Sequence, residues 1–270
     1  MSEASHPHVV LYERHENTAV IVLNRPHVLN AVNTELANAI GVRLEEASAD
    51  PGIHAIVIAG AGRAFCSGAD LKEVAAGRSV SSTENPSWGF AGIANHWIDK
   101  PTIAAVHGYS MGGGTEIALA CDLIVASEDA KFGFPEVKRG LLAVGGGLVR
   151  LQRQVPVRLA MQLALTGDPI DAATAAKWGL INEVVPVGEA LAKSLDLARR
   201  ITANAPLSVR ATKLLIHQNA AAGSDWNPMW TGQDAWKATD AAMKGLYASA
   251  DTREGARAFA EKRPPVWLGR

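Results

Sequence analysis

GYSMGGGTEIALACD, residues 108–122, is the stretch whose reading decides the fold. Its first five residues, Gly108, Tyr109, Ser110, Met111 and Gly112, spell G-x-S-x-G, the pattern of a serine nucleophile carried on a sharp strand-to-helix turn. The neighbours suit that motif, because TIAAVHG (102–108) reads as a buried strand and MGGGTEIALA as a helix. The remaining chemistry does not. A hydrolase of this type needs an Asp and then a His after the serine, and the only downstream histidine is His217, inside the helical TKLLIHQNA. An acylating probe is therefore expected to leave Ser110 unlabelled. A dinucleotide loop fares no better, since the glycines lie outside a first βα unit and do not form G-x-G-x-x-G.

A third reading uses the main chain. Gly112, Gly113 and Gly114 open a helix directly after a strand, which leaves their N–H groups unpaired at the positive end of the helix dipole. Without a Cβ, such a turn lets a ligand carbonyl approach the backbone closely, as an oxyanion hole requires. The bland alternative is tight helix packing. Glu116 argues against it: the helix is apolar on all faces, so the carboxylate is expected to be buried, and burial of a charge needs a reason. AFCSGADL (64–71) is a second glycine-bearing loop, either a donor of another N–H or a plain turn with Asp70 as helix cap. In KFGFPEVKRG (131–140), Pro135 fixes the backbone before Glu136, and Phe132 and Phe134 supply apolar surroundings that raise a carboxyl pKa.

Outward from these loops, VVLYE (9–13) and TAVIVL (18–23) flank a polar HEN and predict a hairpin. Leu36, Ile40, Leu44 and Ala47 recur at helical spacing, with Asn33 or Thr34 as cap and Asp50-Pro51 as stop. HAIVIAG (54–60) and DLIVAS (122–127) read as buried strands, so strand and helix alternate and the class is α/β. Residues 77–92 offer little to bury and predict a surface excursion or lid. From Pro156 onward the pattern is mostly helical apart from a short LINEVVP strand, and the C-terminal third carries Trp226, Trp230, Trp236 and Trp267, suited to core or to subunit contacts.

The 270 residues carry a formal net charge of -1, which gives no electrostatic reason to expect nucleic acid or an anionic membrane as partner. Cys66 and Cys121 are the only cysteines and lack metal-ligand spacing, so a reducing, cytoplasmic setting and no metal are expected. MSEASHPHVV has neither a basic nor an apolar leader segment, and no run of about 18 apolar residues follows, so a soluble protein without membrane association is expected.

Taken in order, VLNRPHVLNAV, FCSGADLKEV, KPTIAAVHGYSMGGGTEIALACDLIVAS, FGFPEVKRGLL and FAEKRPPVW resemble the crotonase, or enoyl-CoA hydratase, family over nearly the whole chain. The resemblance implies an α/β crotonase (ClpP-like) spiral of ββα units with a C-terminal helical trimerisation layer: a core over 1–200 and an oligomerisation region over 201–270. It implies an acyl-CoA thioester as substrate, with coenzyme A as part of that substrate and no separate cofactor. Its oxyanion-hole amides fall on Ala69 and Gly113. Its two catalytic glutamates fall on Glu116 and Glu136, which would hold one water, add it at C3 and protonate C2 of a 2-enoyl-CoA. Coenzyme A contacts fall on Arg63, Ala69, Asp70, Leu71, Lys72 and, from a neighbouring subunit of a trimer or hexamer, Lys262. Where a lysine is frequent in the NRP segment this chain has His27. Where hydratases carry a proline-containing turn it reads GLLAVGGGLVRL with Ala143, which bears on the acyl pocket. Alternatives within the resemblance are an enoyl-CoA isomerase, which needs essentially one carboxylate, and a non-catalytic acyl-CoA-binding or RNA-associated member.

Overall fold

The structure is a computed structural model that describes residues 9–219, 244–245 and 248–270. The chain divides into two compact units, residues 1–98 with 102–198, and residues 99–101 with 199–270.

The first unit is built on a six-stranded sheet. Strands β1 (Val10–His15) and β2 (Thr18–Leu23) form the expected hairpin. Strands β3 (Ala55–Gly60), β4 (Thr102–Val106), β6 (Leu123–Ser127) and β9 (Glu183–Val185) then add in parallel, in the order β1-β2-β3-β4-β6-β9. The registers run Thr18 to Ala55, Ile56 to Thr102, Ile103 to Leu123 and Val125 to Glu183. Parallel strands covered on both faces read as continuous apolar runs, and β3 and β4 are buried along almost their whole length. Helix α1 (Thr34–Ala49) starts where its sequence says: the Asn33 side chain accepts from Leu36 N–H at 2.9 Å, and Leu36, Ile40 and Leu44 face the core.

A second, smaller sheet joins β5 (Tyr109–Met111), β7 (Lys131–Gly133) and β8 (Ile170–Asp171). It corrects one boundary. The helix read through MGGGTEIALA begins only at Gly113, as α3 (Gly113–Ala120), because Tyr109–Met111 pairs in parallel with Lys131–Gly133.

The 77–92 segment is the expected surface excursion over most of its length, and it carries anchors that its composition does not announce: Asn38 Oδ1 of α1 accepts from Thr83 N–H at 2.7 Å and Glu84 N–H at 3.2 Å. The Trp88 ring stacks on His96 at 4.7 Å, and His96 Nε2 in turn lies 3.0 Å from Glu45 of α1. Phe90 and Ala91, at the end of the segment, are buried. These anchors are side-chain hydrogen bonds and one aromatic stack, which low apolar content does not reveal.

In the second unit, α8 (Pro206–Asn219) and a last helix, Ala250–Glu261, are described. Glu254 accepts from Arg263, Arg257 and the Val266 N–H, and these charge-assisted bonds hold its carboxyl down at about 2. Trp267 donates to Ala203 O at 2.8 Å. Trp226, Trp230 and Trp236 lie outside the described residues.

The loop that leaves β3 is anchored by one side chain. Asn30, fully buried with a left-handed φ of 56°, donates to the carbonyls of Ala61, Ala64 and Phe65 at 2.9, 2.9 and 3.1 Å. Its Oδ1 accepts from Arg25 N–H at 2.8 Å. Asparagine tolerates this backbone conformation better than most residues, and its amide supplies both donors and an acceptor. Asn30→Ala leaves buried carbonyls without partners, and urea denaturation is expected to show a loss of at least about 2 kcal/mol.

Candidate active site

The 64–70 loop is stitched on both edges. On one side Val32 N–H donates to Gly68 O and Asp70 N–H to Val32 O, both at 2.8 Å, a parallel bridge centred on Ala69. On the other, Cys66 N–H donates to Tyr109 O and Met111 N–H to Cys66 O, both at 3.0 Å, a bridge to Ser110. A residue centred in such a bridge turns its own N–H away from the partner strand. That leaves the Ala69 N–H without an acceptor among the described residues. Gly113, the first residue of α3, also has no acceptor for its N–H there, as helix geometry dictates.

The two amides belong to neighbouring backbones. Gly68, at φ 96°, packs so closely that a Cβ would stand 3.0 Å from Gly113 N and 2.7 Å from Met111 O. Glycine is required there by both conformation and space. The Phe90 ring covers the other side of Gly113.

Two carboxyls face this corner. Glu116, on the first turn of α3, is 4 % exposed and accepts from Gly147 N–H at 2.9 Å. Gly147 is the first residue of α4 (Gly147–Gln154), so its free N–H is a helix-start donor aimed at a carboxylate. Glu136 lies on a 3-10 helix, Pro135–Arg139, and its Oε1 would be 2.6 Å from a Cβ on Gly112. Its Oε2 is buried and has no hydrogen-bond partner among the described residues.

Burial pushes the Glu116 carboxyl up to about 7; the Gly147 amide opposes the shift and the nearby charge of Glu136 adds to it. Burial also raises Glu136, opposed by its own backbone amide and by Arg139. The pair therefore holds a proton near neutrality, as an acid and a base acting together require.

The structure thus brings together Ala69, Gly113, Glu116 and Glu136. Asp70 caps α2 (Leu71–Ala75) by accepting from Lys72 N–H at 3.2 Å, and also pairs with Arg25 at 3.2 Å. Its side chain is committed to structure. Arg63, Leu71 and Lys72 are exposed around the same loop, while Lys262, also exposed, belongs to the second unit. Ser110 is fully buried, which denies it the role of a presented nucleophile. Burial pushes the Cys66 thiol up to about 12, so it too is inert.

Sequence reasoning missed Gly147 and Arg150. The 145–147 triplet reads as a change in pocket shape, yet its backbone holds Glu116. A glycine run at a helix start was the available signal. Arg150 donates to Ala94 O at 2.5 Å, joining α4 to the segment after Phe90, and its charge favours the ionised form of Glu116.

Because the folded-state pKa of Glu116 is raised from 4.5 to about 7, the folded protein binds the extra proton between those values. Stability is full below about pH 4.5 for this group and is lost as pH rises through about 7. Urea midpoints measured from pH 5 to 8 are expected to fall for the wild type relative to Glu116→Gln, whose neutral amide does not titrate.

The enoyl-CoA hydratase/isomerase family model matches residues 13–270. A mevalonyl-coenzyme A hydratase of Beauveria bassiana is 39% identical over 92% of this chain and 90% of its own length. The crystal structure of an enoyl-CoA hydratase from Mycobacterium tuberculosis superposes with a TM-score of 0.90 at 41% identity, covering 97% of this chain and 100% of that one. A carnitinyl-CoA hydratase structure from Mycobacterium avium is 49% identical with a TM-score of 0.75, over 97% and 99% of the two chains. With the crotonase fold and the corner built by the 64–70 loop and α3, this chain belongs to the enoyl-CoA hydratase/isomerase family.

Proposed function

We propose that this hydro-lyase adds water reversibly across the 2,3 double bond of a 2-enoyl-CoA thioester. The observation that carries the reading is the buried carboxyl of Glu116 with the half-buried Glu136, whose Oε2 is buried without a partner, in the corner that holds two backbone amides lacking acceptors among the described residues. The thioester oxygen accepts from the Ala69 and Gly113 N–H groups. As the oxygen of water attacks C3, the π electrons move toward C2 and the carbonyl, and the enolate-like oxyanion is held by donors already in place. The carboxyl pair takes a proton from the water and delivers one to C2, so the product carries OH at C3 and H at C2. An isomerase needs essentially one carboxylate, and a second, partly desolvated one whose charge opposes ionisation of Glu116 is then a cost without a use.

Addition of water requires no separate redox group, so coenzyme A enters as part of the substrate. The backbone of the 64–70 loop, with Asp70 and Leu71, and the side chains of Arg63 and Lys72 would hold its adenine and phosphates. Lys262 of a neighbouring copy would complete the set in a homotrimer or hexamer. Exposed Leu214 and Ile216 on α8 support association through the second unit. The reading places the enzyme in degradation of fatty acids or related acyl-CoA compounds. A cytoplasmic setting is supported by the presence of only two cysteines, both buried and too few for a disulfide framework. No described helix is long and apolar enough to cross a membrane.

Loss of the conjugated enoyl-thioester absorbance measures the reaction directly. Glu116→Gln and Glu136→Gln are each expected to lower kcat/KM by at least about 10³-fold, and the double variant by little more, because the two act as a unit. Turnover unchanged in either variant would refute the assigned pair.

A further inference from the structure

The first turn of α4 carries a residue that its place in the helix does not favour. Arg150 sets a positive charge at the positive end of a helix dipole, and it is half-buried. Both features cost stability, so the guanidinium needs partners. We propose that Arg150 is a positioning residue for hydration: its guanidinium holds the start of α4, which seats Glu116, in a fixed relation to the Phe90 turn, which covers Gly113. The proposal rests on the hydratase reading and deepens it, by naming a group that acts through the reacting residues.

Three observations carry it. The first is the pair of segments that Arg150 joins. Side chains on a helix lean toward its N-terminus, so Arg150 reaches back over the start of α4. There Nη1 donates to Gly145 O at 3.5 Å, while Nη2 donates to Ala94 O at 2.5 Å. Ala94 closes the Phe90 turn, since its own N–H donates to Phe90 O at 3.0 Å.

The second is the glycine triplet before Arg150. A Cβ on Gly145 would stand 2.6 Å from Glu116 Oε2 and 2.9 Å from Phe90 Cδ1, so the carboxyl and the ring meet at this one residue. A Cβ on Gly146, at φ 96°, would overlap Arg150 Nη1, and one on Gly147 would stand 3.0 Å from Glu116 Cγ. Glycine at 145 and 146 thus makes room for the carboxyl, the ring and the guanidinium together. The same Phe90 ring would overlap a Cβ on Gly113, so a shift of the Phe90 turn reaches that amide directly.

The third is charge. Arg150 favours the ionised form of Glu116, against burial and against Glu136. Glu116 favours the charged guanidinium in return, Cys121 acts on Arg150 in the same sense, and Arg153 on α4 acts in the opposite one. On the segment that receives Nη2, His96 is paired with Glu45 of α1. A neutral residue at 150 therefore leaves the Glu116 carboxyl above its present value of about 7.

The test measures kcat and KM for 2-butenoyl-CoA and 2-decenoyl-CoA across pH in Arg150→Lys and Arg150→Met, with the urea midpoint of each variant. Lysine keeps the charge and loses the fork that reaches two carbonyls; methionine loses both. Both variants are expected to lower kcat at least about tenfold with KM changed less than about threefold, since looser oxyanion donors weaken the transition state more than the bound thioester. Whichever limb of the kcat/KM profile Glu116 governs is expected to rise by about half a pH unit or more in Arg150→Met and to stay in place in Arg150→Lys.

Wild-type kcat in Arg150→Lys overturns the proposal, and so does an unmoved profile in Arg150→Met. A lower urea midpoint with kcat, KM and profile unchanged also overturns it and leaves Arg150 a structural tie. If methionine at 150 prevents folding, the kcat of Arg150→Lys decides. All these outcomes leave the hydratase reading intact, because wild-type turnover tests it separately. If the wild type hydrates neither thioester, that reading falls, and the infrared carboxyl band of Glu116, assigned by its loss in Glu116→Gln, decides the role of Arg150. A titration midpoint higher in Arg150→Met than in the wild type sustains the link between the two residues, and equal midpoints overturn it.

Discussion

The close approach of Gly68 to the first amide of α3 is the constraint on which the rest of the site depends. Two unpaired N–H groups on segments more than 40 residues apart in sequence must point at one spot, and only a loop bonded along both edges can fix them there. Val32 holds one edge, the β5 strand holds the other, and Asn30 anchors the loop's approach from β3. The parallel sheet serves this arrangement by delivering β3 and β4 side by side, so that the turns at their ends become neighbours. Rigidity at this corner suits the proposed role of the two amides, since donors that need not reorganise stabilise developing charge most effectively.

The carboxyls show the opposing demand. Glu116 is buried yet has one close main-chain donor, and Glu136 retains a buried oxygen without a partner. A protein selected for stability alone would avoid both. Unmet polar demand of this kind concentrates where a substrate or reacting water satisfies it. Here burial also raises both carboxyl pKa values, Glu116 to about 7, which favours protonation of Glu116 closer to neutrality than an exposed carboxyl allows.

Much of this was legible in the sequence because its signals are local. The hairpin, the Asn33 cap of α1, the buried β3 and β4 runs and the glycine-opened α3 follow from periodicity and capping, and the carboxyl at 116 stood out as a charge in an apolar helix. What remained hidden is non-local. The glycine run at 145–147 signals a helix start but not that the Gly147 N–H meets a carboxylate 31 residues earlier, and the start of α3 is set by the pairing of the preceding strand with β7, which no propensity encodes. The anchors of the 77–92 segment were hidden for the same reason: its composition announces exposure but not the Asn38 hydrogen bonds or the Trp88–His96 stack. The coenzyme contacts at Arg63, Lys72 and Lys262 rest on resemblance, since an exposed basic side chain looks the same with or without a task.

The six-stranded sheet ends in two very different edges. At one end β1 carries Glu13, Arg14 and His15, all exposed, and at the other β9 is only three residues long. Neither is a template onto which a second backbone can hydrogen-bond: charge discourages it at the first, and brevity at the second. Association of copies through the main chain of this sheet is thus disfavoured at both edges, which guards the ladder against strand exchange and fibrous growth.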